Sequence, residues 1–348
     1  MKRLYTLSLA LILTLTLTVT ALPVYASEDD GAVVNTDDAA SESESSEISY
    51  DINADNFPGI YKLLKTGYYE YDYAGNKKYY DADRDGVLTG DEIGAITCLT
   101  NCKMDFISAN GGYGSSPKYG YKKYQTKLTS LSGIEKLTSV ESIELSGYAG
   151  KKIDLRKAKQ VKSLTVICPT TKSLTVKGPY LKSFKLQSDY GGTNKKAKLN
   201  SLNITSCTNL VKLDVWGSCA RKVTIKLPKS ADNLVMAVIS ACKNSTISLN
   251  KYKALKVFYF SYDDMSTLKL NSCTELRYIC EGNCTNLKKI NASKCTKLRG
   301  ILYQKGITVK AVSGAKKKAY SGSGGVIWWW NSTAYKNIEQ EIQDAINE

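Results

Sequence analysis

No histidine occurs anywhere in the 348 residues. That absence removes the usual general base, the imidazole of a nucleophile triad and the commonest zinc ligand together. A carboxylate-pair glycosidase would remain chemically open, but no Asp/Glu pair stands out from the surface charge. Cysteines are present, yet no two have the CxxC spacing of a zinc site. Beyond the first 26 residues no segment is apolar enough to span a bilayer. No cysteine precedes Cys98 to carry a lipid, and neither an LPxTG motif nor an apolar tail follows. Residues 27–50 contain no Lys or Arg at all; eight acids and a Ser-Glu-Ser-Glu-Ser-Ser run make this stretch a solvated acidic linker.

What is present begins with Lys2 and Arg3, an apolar run from Leu4 to Ala21 and the small-residue site Val24-Tyr25-Ala26. These are the three parts of a secretory signal, so residues 1–26 are expected to be removed and the mature chain to start at Ser27. The formal net charge is +15. Without signal and linker, 46 basic residues face 25 acidic ones, a balance of +21. Such a surface is drawn to anionic polymers, or else merely keeps the chain soluble.

From Val140 onward an apolar-x-x-apolar-x-apolar pattern returns at Val161, Leu181, Leu210, Leu234, Leu255, Leu276 and Leu298, in steps of 20 to 29 residues. A second copy lies out of phase, as in Leu199-Asn-Ser-Leu202-Asn-Ile204 and Met265-Ser-Thr-Leu268-Lys-Leu270. Two short extended segments per turn at this period predict a leucine-rich repeat array: an α/β solenoid dominated by β, with a parallel sheet. Residues 191–198 are expected to be a loop insertion, and 111–124 a surface excursion rich in Gly, Tyr and Lys. Tyr335, Ile338, Ile342, Ala345 and Ile346 fall at helical spacing behind Asn331-Ser-Thr333, which predicts a helical C-terminal cap. Trp328, Trp329 and Trp330 are expected to seal that end of the stack, with carbohydrate stacking as the alternative.

Asp81-Ala-Asp83-Arg-Asp85-Gly86-Val87-Leu88-Thr89-Gly-Asp-Glu92 fits the twelve-residue EF-hand loop at each diagnostic place. Asp81, Asp83 and Asp85 take positions 1, 3 and 5, Gly86 the sharp turn, Val87 a carbonyl, Thr89 position 9 and Glu92 the bidentate position 12. Four carboxylates at one point call for a hard divalent cation, so a structural Ca2+ is expected, bound at the weak extracellular end of the range. A helix is predicted over Asp91 to Leu99. Tyr68 to Tyr80 reads as a hairpin, which displaces the entering helix to Ile60–Lys65.

Asn53-Ala-Asp-Asn56-Phe57-Pro58, the loop Asp81–Glu92, Leu128-Thr-Ser-Leu131-Ser-Gly-Ile134-Glu and the Ser-Cys207-Thr-Asn-Leu210 and Ser-Cys273-Thr-Glu-Leu276 half-repeats resemble the secreted leucine-rich repeat proteins of gut Firmicutes, which join an EF-hand-like segment to repeats. The residues divide the chain into a signal peptide 1–26, the acidic linker 27–50, an EF-hand-like N-terminal cap region with a Tyr/Gly-rich insertion 51–127, the solenoid 128–312 and a C-terminal cap 313–348, with the resemblance covering about Asn53 to Val312. With no histidine and a broad concave repeat face, a non-enzymatic binding or adhesion protein is expected, and the resemblance places it in the secreted or surface class. The expected partner is an extracellular protein or glycan, and no nucleic acid. A wall-associated structural protein held by charge on anionic polymers is the alternative.

On the same resemblance the series starting at Val140 forms the concave face, and its third and fifth residues point outward. The first four outward pairs are polar. The later ones are mostly apolar or aromatic, which puts ligand contact at Met236, Val257, Tyr259 and Tyr278. Two alternatives stand beside this: a reversed series, or a C-terminal cap folded over the patch. Cys207, Cys273, Cys284 and Cys295 recur at repeat positions, which favours buried thiols over the disulfides usual in exported chains. Cys98 and Cys102 are expected four apart on one helix, a poor geometry for a bridge.

Overall fold

The computed structural model describes residues 48–71, 75–102, 124–188, 197–218, 221–321 and 333–347. The expected signal, almost all of the acidic linker, most of the 111–124 excursion and of the 191–198 insertion, and the tryptophan run lie outside the described residues.

The N-terminal region carries β1 (Ser49–Asp51), α1 (Tyr61–Thr66), β2 (Tyr68–Tyr71), β3 (Lys77–Tyr79), β4 (Val87–Thr89), α2 (Gly90–Ala95) and β5 (Cys98–Thr100). The anticipated hairpin is β2 and β3, and the displaced entering helix is α1. Three expectations change. The linker ends sooner than 50, because Tyr50 pairs with Leu88 in the antiparallel β1–β4 ribbon. The helix over 91–99 stops at Ala95, since Ile96 turns extended and buries its side chain. Beyond it, Leu99 pairs in parallel with Ile143, so tertiary strand pairing overrides local helix preference. Cys98 and Cys102 therefore do not share a helix.

From Ser142 to Tyr320 the chain alternates between two faces. It runs β6 (Ser142–Ser146), β7 (Lys152–Asp154), β8 (Ser163–Ile167), β9 (Ser173–Lys177), β10 (Ser183–Gln187), β11 (Ser201–Asn203), β12 (Lys212–Trp216) and β13 (Thr224–Lys226). It continues β14 (Met236–Ser240), β15 (Thr246–Ser248), β16 (Val257–Ser261), β17 (Thr267–Lys269), β18 (Tyr278–Gly282), β19 (Lys289–Ala292), β20 (Gly300–Gln304), β21 (Thr308–Ala311) and β22 (Lys316–Tyr320). The even-numbered strands from β6 to β22, with β5 at one end, form a ten-stranded sheet. The odd-numbered strands from β7 onward lie on the return half of each turn, in sheets of four, two and two strands.

Every repeat start read from the sequence is buried, and each strand of the large sheet opens two residues later. Leu145, Val166, Leu186, Val215, Ile239 and Phe260 stand in one in-register inward column. Side chains alternate along a strand, so the LxxLxL spacing sends this column and its neighbour inward, where turns bury one another's leucines. The fold is a leucine-rich repeat solenoid.

Its sheet extends past both boundaries expected for the solenoid: β5 precedes residue 128 and β22 follows residue 312. A recurrent backbone device turns the chain after the large-sheet strands. Gly147, Cys168, Ala241, Tyr262 and Asn283 each follow such a strand and each have φ between 46° and 64°. For a residue other than glycine that conformation costs roughly 1–2 kcal/mol. It also aims the N–H at the next turn: Cys168 donates to the Gln187 carbonyl at 2.7 Å and Tyr262 to that of Gly282 at 2.7 Å.

Candidate functional site

The acidic loop is anchored by β4 on one side and α2 on the other. Thr89 caps α2, accepting from the Glu92 N–H at 3.3 Å. The Glu92 carboxylate accepts from the Thr89 N–H at 3.0 Å and hydroxyl at 3.1 Å, and from the Ala82 N–H at 2.7 Å. Asp81, Asp83 and Asp85 each bring a carboxylate oxygen within 4.8 Å of the others. Asp83 accepts from the Asp85 N–H at 3.2 Å, and Asp85 from the Val87 N–H at 2.7 Å.

Asp81 is buried, and its Oδ2 accepts from the Gly86 N–H at 3.1 Å while Oδ1 has no partner. Burial pushes this carboxyl above its ordinary value, Glu92 and Asp85 add to the rise, and the Gly86 and Arg84 N–H groups oppose it. Arg84 and Gly86 take φ of 65° and 90°, so the loop already bends inward. Three of the anticipated ligands thus converge, Glu92 and Thr89 are engaged in the helix cap, and Val87 pairs with Asp51. An orphaned buried oxygen among three carboxylates fits a hard cation.

On the concave face the structure follows the alternative in which the C-terminal helix folds over the patch. The outward pairs do fall in register, Ser142 with Ser163 and Ser183, and Met236 with Val257. However, Met236, Val257 and Tyr278 are only 8%, 4% and 5% exposed, and Tyr259 is half-buried. Ile338 and Ile342 of α3 (Thr333–Asn347) pack on them together with Val238, Cys280 and Leu302. The apolar patch is therefore not an open ligand surface, because an amphipathic helix of the same chain already satisfies it.

That helix is the predicted C-terminal one, but it lies across the sheet instead of closing the stack. Two contacts at strand entrances hold it: Lys256 with Glu341, and the Lys162 ammonium donating to the Asn347 carbonyl at 2.5 Å. Trp216 extends the covered patch by packing on Tyr259, ring centroids 5.7 Å apart. On the other side Ser142, Glu144, Ser163, Thr165, Ser183 and Lys185 are partly exposed, with the C-terminal end of α3 reaching Lys162 beside them.

The repeat cysteines are thiols buried in the core: Cys207, Cys273 and Cys295 donate weakly to the carbonyls of Val176, Leu249 and Leu270. Burial raises each of these thiols, Cys207 and Cys273 to about 12 and Cys295 to about 11. Such thiols are unreactive.

Two buried acids escaped the sequence reading. Glu281 occupies an inward position, in register with Phe260, and accepts from the Cys284 and Gln304 N–H groups at 2.7 and 2.6 Å. Asp263 is 1% exposed, with Oδ2 unpartnered. The available signal was an acid standing where other turns place an apolar residue.

No protein-family model matches the chain, and no curated protein matches it. Similar solved structures include the functional domain of InlJ from Listeria monocytogenes, described as including a cysteine ladder. It is 11% identical over 80% of this chain and 73% of that one, with a TM-score of 0.27. Another is an internalin, InlF, from the same organism, 13% identical over 80% of this chain and 99% of that one, with a TM-score of 0.23. The solenoid assignment rests on the strand register.

Proposed function

We propose that the protein is an exported, non-enzymatic interaction solenoid that takes an extracellular partner on the open, polar part of its concave sheet, between β6 and β12. The carrying observation is the division of one rigid sheet into an apolar half occupied by α3 and a polar half whose outward side chains stand in register and partly exposed. Aligned strands hold Ser163, Thr165, Ser183 and Lys185 at fixed spacing, which limits the entropy lost on binding.

The test is an array of extracellular proteins and glycans probed with the full mature chain at physiological salt. A double change, Thr165→Glu with Lys185→Glu, should abolish retention of the captured partner and leave the melting temperature within about 2 °C. Equal capture by wild type and variant would sink this face as the binding surface.

The acidic loop is proposed to hold a structural Ca2+ through Asp81, Asp83, Asp85 and Glu92, with the Val87 carbonyl and Thr89. The unpartnered buried Asp81 Oδ1 supports this reading. Because Glu92 must give up backbone partners to bind, weak affinity is expected, with Kd on the order of 10⁻⁴ to 10⁻³ M.

A second reading, retention on an anionic wall polymer, is favoured by the exposed lysines of the return strands. Release of the protein from cell walls by moderate salt would support it; retention unchanged by salt would oppose it.

A further inference from the structure

On the return half of each turn the middle strand residue is buried and its neighbours face solvent, as in Thr224-Ile225-Lys226, Thr246-Ile247-Ser248 and Thr267-Leu268-Lys269. Within each of the three return sheets the strands pair in parallel and in register. Ser201 lies beside Thr224 and Asn203 beside Lys226, Thr246 beside Thr267 and Ser248 beside Lys269, and Asn291 beside Lys310. The outward positions therefore form two rows along the solenoid. One is mainly hydroxyls, with one lysine among them: Ser173, Ser201, Thr224, Thr246, Thr267, Lys289 and Thr308. The other alternates lysine with a neutral polar residue: Asn203, Lys226, Ser248, Lys269, Asn291, Lys310.

From β9 to β21 no acidic and no aromatic residue stands at an outward position of these strands. The single acid of the flank, Asp154 on β7, is held by Lys152 at 2.6 Å and Arg156 at 2.7 Å. Lys226, Lys269 and Lys310 join no ion pair among the described residues, whereas Lys222 and Lys297 nearby are paired with Asp264 and Glu275. Paired parallel strands lie about 4.8 Å apart, so within each sheet a lysine stands about that far from a neutral hydrogen-bonding side chain: Lys226 from Asn203, Lys269 from Ser248 and Lys310 from Asn291.

A fixed charge alternating with a neutral polar group matches a linear chain in which a carboxylated sugar alternates with a neutral one. The absence of aromatic platforms removes stacking on sugar faces, leaving charge and hydrogen bonds to carry recognition. We propose that this flank is a docking surface for a linear acidic polysaccharide, its carboxylates meeting Lys226, Lys269 and Lys310 and its hydroxyls the intervening Thr, Ser and Asn side chains. The proposal rests on the second functional reading, retention by anionic polymers, and gives that reading a place and a ligand class.

The experiment uses the full mature chain and hyaluronan, an alternating uronate polymer, with carboxyl-reduced hyaluronan and inorganic polyphosphate as comparison probes. The triple variant Lys226→Gln/Lys269→Gln/Lys310→Gln is set against a charge-matched triple off the flank, Lys305→Gln/Lys316→Gln/Lys317→Gln. The flank triple should weaken hyaluronan binding about tenfold with an unchanged melting temperature, and the off-flank triple less than about twofold. The carboxyl-reduced polymer should not bind. Equal losses in the two triples would overturn the flank and leave retention by general charge standing. No hyaluronan binding by the wild type would overturn the ligand class. Polyphosphate bound as tightly, with the same sensitivity to the flank triple, would also overturn the polysaccharide assignment.

Discussion

The backbone N–H of Cys242 donates to the Asp263 carboxylate across the stack at 2.6 Å. The acid thus closes one turn onto the turn before it, but with only one of its two oxygens satisfied. Burial pushes its carboxyl well above the ordinary range; Asp264 and Glu281 add to this, while the Cys242 N–H and Lys222 oppose it. A raised folded-state value means the native state binds the proton more tightly than the unfolded chain does. The stabilisation is complete below the unfolded value, near pH 4, and is lost as pH rises through the folded one. Asp263→Asn keeps the acceptor and removes the charge. It should raise stability at pH 8 by about 1–2 kcal/mol and flatten the fall between pH 5 and 8. Urea unfolding midpoints at the two pH values decide; a destabilised Asn variant at pH 8 would refute the account.

Glu281 makes the contrasting case. Its carboxyl is also raised by burial, yet both oxygens are engaged, and the Tyr320 hydroxyl stands within 3.5 Å. Glu281→Ala would strand the Cys284 and Gln304 N–H groups, so a loss of roughly 2–4 kcal/mol is expected. A loss under about 0.5 kcal/mol would mean that water replaces the acid.

Calcium should raise the melting temperature through linkage, since only the folded loop gathers Asp81, Asp83 and Asp85. Asp81→Ala with Glu92→Ala should remove the shift. The absence of any binding heat at millimolar calcium in the chelator-treated wild type would retire the metal.

Leu213 is an inward residue of β12, 1% exposed, and Leu213→Ala should cost about 2–5 kcal/mol. Thr224→Ala on the exposed return strand should stay within about 0.5 kcal/mol. Chemical denaturation of the pair checks the register directly; similar costs would mean that it is wrong.

Cys280 lies beneath α3 in the apolar patch. Ile338→Asp with Ile342→Asp should detach the helix, expose the patch and make one further thiol reactive toward an aromatic disulfide reagent. Cys280→Ser in the same background should abolish that gain. Unchanged thiol reactivity in the Asp variant would show that the helix does not guard this surface.

The solenoid was legible because its signal is repeated: an inward leucine misplaced in one turn is corrected by the others, so starts such as Leu210 and Leu276 carry the register. The acidic loop was legible because metal coordination fixes residue types at fixed spacing. The fate of the concave patch was legible only as one of several alternatives, a cap folded over it. Whether Ile338 and Ile342 meet a stack end or a sheet face depends on where a linking segment delivers them, and hydrophobic spacing holds no such direction. Cys98 failed differently: its local pattern suits a helix, and only the distant strand at Ser142 draws it into the sheet. Glu281 left only an acid at an inward position as its signal, because one of its partners, the Gln304 N–H, lies in the next turn.

Among the described residues β22 borders only β20. An edge strand presents backbone donors and acceptors on which a strand of another molecule can grow. Lys316, Lys317 and Lys318 are exposed along it, with charge on both faces of the strand. A second copy would bring its own lysines or its buried core against theirs. Lysines on both faces of an edge strand disfavour the addition of a further strand, so the sequence of β22 opposes end-to-end growth of the stack.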